Sequence, residues 1–250
     1  MLHPLIYVPL GVLFGFIAGL LGTSGGVIAV PVLAVAFGLR QQAAQGTALV
    51  MMLPNVAMSA FRYIRHGDVD KKMGIALVLG AIPCSFAAAL IATKMHAATL
   101  RTAFAIFVFA LAAFMAWRTF TKAGERTLHA PWPYAVLVGV AGGTLAGFFS
   151  GGAAALSVAL LSYIFGLEQV AAQGMALILE LPATTASLFA YGFARDIEWS
   201  TGIALAAGGV FGAHFGAELA HRVPEKLLRT FFVLYTIAAG ILLLAHRTAK

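Results

Sequence analysis

The chemistry in this chain has to come from a small set of uncharged polar side chains set in long apolar runs. They are Thr23 and Ser24 within Gly22-Thr23-Ser24-Gly25-Gly26, Gln45 and Thr47, Asn55 and Ser59, Ser150 beside Gly151 and Gly152, Gln173, and Thr184 and Ser187. Hydroxyls and amide N–H groups donate hydrogen bonds without carrying a fixed charge. A helix that restarts after Gly26 adds free backbone N–H groups and the positive end of its dipole. Together these groups suit a small oxyanion held in an apolar medium, as interrupted membrane helices hold anions. The same residues have plainer uses. The glycines suit close helix packing, and each Gln suits a helix cap or an interhelical hydrogen bond.

Glu180 is the carboxylate that stands deepest in an apolar run, Leu177-Ile178-Leu179-Glu180-Leu181-Pro182. An acid in that setting favours its neutral form, and either relays protons or bonds a neighbouring helix as a neutral group. Tyr63 and Tyr191 could reach the cavity, but they fall near the ends of apolar runs, where tyrosine more often anchors at a membrane surface. Machinery for hydrolysis is not visible. There is no paired His/Glu spacing for zinc, no serine elbow, no Cys/His cluster, and no Lys-Ser or Lys-Thr after the glycines to make a phosphate loop. The expectation is therefore a protein that is not an enzyme and takes no metal or cofactor.

The elements that position these residues come from composition and from a repeat. Of 250 residues, 61% are hydrophobic and 10% charged, with mean hydropathy +0.94. A soluble fold carries about 25% charged residues, so this chain cannot cover a water-facing surface and belongs in a bilayer. The net charge of +7 lies in short loops between apolar runs and is no nucleic-acid signature. Gly11–Leu39 matches Gly139–Leu167 without a gap, a displacement of 128 residues that also carries Gln45-Gly46 onto Gln173-Gly174, Ser59 onto Ser187 and Tyr63 onto Tyr191. This reads as a tandem duplication. The expected fold is all-α and polytopic, with about eight transmembrane helices in two homologous halves. Each half opens with a glycine-broken helix or a re-entrant hairpin. Residues 1–118 form the first repeat, 119–133 a polar linker and 134–250 the second repeat.

In the first half, residues 5–38 would make a helix about 51 Å long against a hydrocarbon core of about 30 Å. Such a helix must tilt strongly, overshoot or break, and Gly22–Gly26 is where a break is expected. Spans at 43–64, 73–93 and 98–118 follow, and the second half repeats the order at 134–166, 169–193, 200–221 and 227–246. The recurrence of Gly11, Gly15 and Gly19, and of Gly139, Gly143 and Gly147, marks a packing face of small residues. Orientation stays open. If each glycine unit crosses once, the halves are parallel and both termini are cytoplasmic. If each unit returns to its own side, the halves are inverted and both termini are outside. Lys and Arg divide ten against six in either case. No cleaved leader is expected from MLHPLIYVPL, and the single Cys84 reads as a small core residue.

The stretches GFIAGLLGTSGGVIAVPVL, AAQGTALV and SAFRYIRHGDVD, with GTLAGFFSGGAAALSVALL and AAQGMALILELPATTASLFAYG in the second half, resemble the TauE/SafE family of membrane permeases. The resemblance covers nearly the whole chain. It implies transport of a small sulfur oxyanion, such as sulfite or an organosulfonate, across the cytoplasmic membrane. Combined with the residues above, it places the anion between the two glycine knots, with the halves rocking around it. No ATP motif is present, so coupling would be to an ion gradient, with Glu180 as its carrier. The partners implied are a small anion, the lipid bilayer, a proton or other coupling ion and, for the assembly, a further copy of the chain. A passive pore for the same anions, or a non-transporting membrane subunit or intramembrane enzyme, are the other readings.

Overall fold

The computed structural model describes residues 4–21, 25–66, 70–120, 128, 130–150, 153–220, 223 and 225–245. Among them the chain forms ten α-helices and no strand. In order these are α1 (Pro4–Leu21), α2 (Gly26–Val35), α3 (Gln41–His66), α4 (Lys71–Lys94), α5 (Ala97–Phe120), α6 (Ala135–Phe149), α7 (Ala153–Phe165), α8 (Gln169–Phe193), α9 (Trp199–Ala220) and α10 (Glu225–Ala245), with one 3-10 turn at Trp132–Tyr134. Four stretches are long and apolar enough to cross a membrane: Lys71–Lys94, Ala97–Phe114, Trp132–Phe149 and Val170–Phe193. Ile6–Leu20, Gly26–Val35 and Ala153–Phe165 are shorter apolar helices.

Both expected breaks are present. Helix α1 stops at Leu21 and α2 begins at Gly26; α6 stops at Phe149 and α7 begins at Ala153. The two breaks are built differently. In the first, Gly25 takes the left-handed conformation (φ 79°) and its carbonyl accepts the Ile28 and Ala29 N–H groups. In the second, Ser150 takes it (φ 48°), and its N–H closes the last turn of α6 on Ala146. Gly38 and Gly166, at the same displacement, end α2 and α7 with φ 67° and 70°, a conformation that glycine reaches without steric cost. Asp70 caps α4 by accepting the Lys72 and Met73 N–H groups at 2.8 and 3.4 Å.

The glycine stripes are packing faces. A methyl on Gly15 would lie 2.7 Å from the Gly209 Cα, and Gly11 and Gly19 meet the backbone of Leu205 and Ala213 in the same way. Helices α1 and α9 therefore touch backbone to backbone. At the equivalent positions Gly139 meets Leu77, Gly143 meets Ala81 and Gly147 meets Ser85, which joins α6 to α4.

These contacts also fix directions. Along α1 and α9 the touching residue numbers rise together, so the two helices are parallel. Gly202 lies against Thr47 and Val50, and Gly209 against Met51 and Asn55, so α3 is parallel to α9 as well. Helices α1 and α3 then run the same way, and the chain between them turns back. Helices α3 and α8 run oppositely, because Tyr63 bonds Gln173 while Tyr191 bonds Gln45.

Three apolar clusters fill the spaces. One gathers α2, α3 and α5 around Leu33, Met51 and Phe104. One gathers α4, α6, α7 and α8 around Leu77, Leu161 and Leu179. A smaller one holds Leu49, Leu100 and Tyr191.

Candidate functional site

One face of α8 carries Glu180, Thr184, Ser187 and Tyr191. Steps of four, three and four residues keep them in line, and all four are buried. The Tyr191 hydroxyl donates to Gln45 Oε1 at 2.6 Å and lies 3.5 Å from the Gly147 carbonyl at the end of α6. Ser150 sits beside that hydroxyl. Two polar groups beside it, Gln45 Nε2 and Ser150 Oγ, are buried with no hydrogen-bond partner among the described residues, and so is Ser187 Oγ, one turn before Tyr191 on α8. Buried polar groups are almost always paired, so this cluster at the α3–α6–α8 junction can bind a small polar ligand.

The other expected site residues go to several places. Gln173 accepts the Tyr63 hydroxyl at 3.0 Å. Gln45 and Tyr63 are 18 residues apart on α3, about 27 Å, so the two Tyr–Gln bonds sit towards opposite ends of the α3–α8 pair. Asn55 faces α9 at Gly209, and both its side-chain atoms lack a partner among the described residues. Ser59, one turn before Tyr63, is half-buried. Thr47 uses its oxygen to accept the Glu198 N–H at 3.0 Å, which ties the α8–α9 loop onto α3. Gly25 is the N-cap of α2 and Gly26 its first, buried residue. Gly22, Thr23, Ser24, Gly151 and Gly152 lie outside the described residues.

For the tyrosines the inward reading holds over that of a surface anchor. Tyr191 is fully buried and Tyr63 half-buried, and each bonds a glutamine on the opposing helix. The signal was present, since Tyr63 and Tyr191, and Gln45 and Gln173, are equivalent under the 128-residue displacement. Two further polar residues went unmarked at the start of α3. Gln41 is fully buried with neither amide atom bonded among the described residues, and Gln42 Nε2 donates to the Met95 carbonyl at 2.6 Å.

Both breaks are buttressed, one by α5 and the other by α10. Phe107 of α5 stacks on Phe149 at 4.5 Å, while Tyr235 of α10, its equivalent, donates to the Ile28 carbonyl of α2 at 3.2 Å. In the α8–α9 loop, burial pushes the Asp196 carboxyl up and Arg40 opposes the shift with less effect. No group of three His, Cys, Asp or Glu able to hold a metal occurs among the described residues.

Composition, apolar helices and buried polar junction define a multi-pass helical membrane protein. The profile of the sulfite exporter TauE/SafE family matches residues 7–243, and the chain belongs to that family. Similar proteins include probable membrane transporter protein YdhB of Bacillus subtilis (strain 168), 25% identical over 237 residues, covering 93% of this chain and 96% of that protein. Probable membrane transporter protein YunE of the same strain is 24% identical, covering 94% and 95%. Probable membrane transporter protein YfcA of Escherichia coli (strain K12) is 25% identical, covering 98% and 91%. No solved structure matches.

Proposed function

We propose that this chain is a secondary permease that carries a small sulfur oxyanion, such as sulfite or an organosulfonate, across the cytoplasmic membrane by alternating access. The observation that carries the proposal is the set of buried donors at the α3–α6–α8 junction, Gln45 Nε2 and Ser150 Oγ beside the Tyr191 hydroxyl and Ser187 Oγ one turn before it on α8, none with a partner among the described residues. None of these groups is charged. They can take up an oxyanion's lone pairs and release it again, which a buried cation would resist. Thr184, Asn55, Ser59 and Gln173 extend the polar path along α3 and α8. Gly25 and Ser150, both left-handed, stand at the two breaks.

The architecture proposed is two repeats, 1–118 and 134–250, joined by the 119–133 linker and inverted relative to each other. The antiparallel course of α3 and α8 and the return of the chain between α1 and α3 support that choice. The basic-rich face, with ten of the sixteen Lys and Arg, is then cytoplasmic and both termini are outside. Glu180, on the same buried face of α8 as the donors, couples transport to protons. When neutral it removes the repulsion an anion would meet there.

The test is flux into proteoliposomes of the purified protein, with sulfite, thiosulfate, sulfate, a short organosulfonate and a carboxylate of similar size, with and without a pH gradient. Gradient-dependent uptake of a sulfur oxyanion above empty liposomes is expected. Flux indifferent to the gradient would make the protein a passive pore, and flux of none from folded protein would remove the substrate class. Glu180→Gln is expected to abolish the response to pH; an unchanged response would remove its coupling role.

A further inference from the structure

We propose that Tyr191–Gln45 and Tyr63–Gln173 are the two gates of the transport path, one at each end of the α3–α8 pair, each opening alone. The proposal rests on the alternating-access reading, but the geometry behind it is independent of any substrate. The two bonds are the same interaction made twice with the partners exchanged between helices. Each joins the late part of one helix to the early part of the other, so each closes one end. A path that opens to one side at a time needs such a pair of closures, and inverted helices supply both from one sequence element.

The closures differ in strength, and the sequence shows why. At one end Tyr191, Gln45 and Ser187 are all fully buried. At the other, their equivalents Tyr63, Gln173 and Ser59 are all half-buried. Three added contacts hold the tighter end. Gln42 bonds the Met95 carbonyl, Thr47 accepts the Glu198 N–H, and Gly46 lets the Asp196 carbonyl seat directly on α3. At the looser end the equivalents of Gln42 and Thr47 are Val170 and Met175, which cannot make the first two. Gly174 instead receives the Tyr63 ring, and Asp70, the equivalent of Glu198, caps its own helix. The Gln45 end is therefore the gate that stays shut at rest, and the Tyr63 end, beside Lys71 and Lys72, opens more readily.

The experiment replaces the single native cysteine (Cys84→Ala) and introduces Ser59→Cys or Ser187→Cys. A membrane-impermeant maleimide is applied to right-side-out and inverted vesicles. Without gate changes, Ser59→Cys should label faster than Ser187→Cys, and from the Lys71 side. Tyr191→Phe keeps the ring and deletes the hydroxyl. Losing one hydrogen bond of ordinary net strength should raise labelling of Ser187→Cys from the opposite side about five- to tenfold and leave Ser59→Cys unchanged. Tyr63→Phe should do the reverse. Gln45→Met breaks the first bond from its other partner and must reproduce Tyr191→Phe, which guards against one variant failing to fold. Equal changes at both cysteines, or none in monodisperse protein, would overturn the gates. Crossed labelling without flux of any anion would leave the gates standing and remove the substrate; flux with uncrossed labelling would do the opposite.

Discussion

Replacing Gly15 by alanine tests the backbone-to-backbone contact on which the helix directions rest. A methyl there would lie 2.7 Å from the Gly209 Cα, whereas ordinary contact begins at 3.4 Å. The helices must separate by at least 0.7 Å, the difference of those two distances, because the obstacle is backbone and cannot rotate away. A gap of that size forfeits about a quarter to a half of each dispersion contact along the seam. Overpacking of this kind costs about 1–3 kcal/mol, and the gain in helix propensity returns about 1 kcal/mol. The upper end of the range applies, since the obstacle cannot yield, which leaves a net loss of about 2 kcal/mol. Gly74→Ala is the matched comparison: it is also helical and buried, but its nearest neighbour is an Ile178 methyl at 3.6 Å. It should gain up to about 1 kcal/mol from propensity alone. Thermal unfolding in detergent, followed by circular dichroism, reads the pair. At about 2–4 °C per kcal/mol for a chain of this size, Gly15→Ala should melt several degrees lower and Gly74→Ala slightly higher. Equal midpoints for the two variants would refute the contact and the parallel course of α1 and α9.

Three further outcomes are expected. Gly38→Ala has open space around it but requires φ 67°, so it should cost about 1–2 kcal/mol through strain alone, and Gly38→Asn less; equal melting of the two would refute this. The Asp196 carboxyl is raised on folding, so its favourable contribution is complete below the unfolded value and is lost as pH rises through the folded one. The 194–198 loop should hold α3 most firmly in acid, read as slower hydrogen exchange at Glu198 after correction for intrinsic rates, and Asp196→Asn should flatten that profile; a variant that keeps the wild-type slope would count against it. Thr47→Val removes the acceptor of the Glu198 N–H and should raise labelling of Ser187→Cys from the outer side a few-fold, with unchanged labelling refuting the loop's part in that closure.

The sequence carried the helices to within a few residues, because a span is an uninterrupted apolar run and its ends are marked by Asp70, Lys94, Gly38 or Gly166. The breaks were legible as the point where glycines cluster in a run too long to cross the bilayer upright. Helix direction was not legible. The ten-against-six division of Lys and Arg is the same for parallel and inverted halves, and the common direction of α1, α3 and α9 shows only in which glycine touches which backbone. The tyrosines were left between two readings because a Tyr near a span end is usually a surface anchor, and their partners lie 110 and 146 residues away. Of the polar set, Gln45 and Ser150 both meet Tyr191, whereas Thr47 serves the α8–α9 loop.

The seam between α1 and α9 has a consequence for how the protein is made. Gly11 rests on Leu205, so α1 leaves the ribosome with the helix it packs against almost two hundred residues downstream. At about 5–20 residues per second, α1 waits on the order of ten to forty seconds with its glycine face against lipid. Helix α6 has no such delay, because α4 is already in the membrane when it arrives. Biogenesis is therefore uneven even though the contacts are equivalent. The α4–α6 pair can form as soon as α6 inserts, and α1 must be held in place, by lipid or by the insertion machinery, until α9 closes the structure.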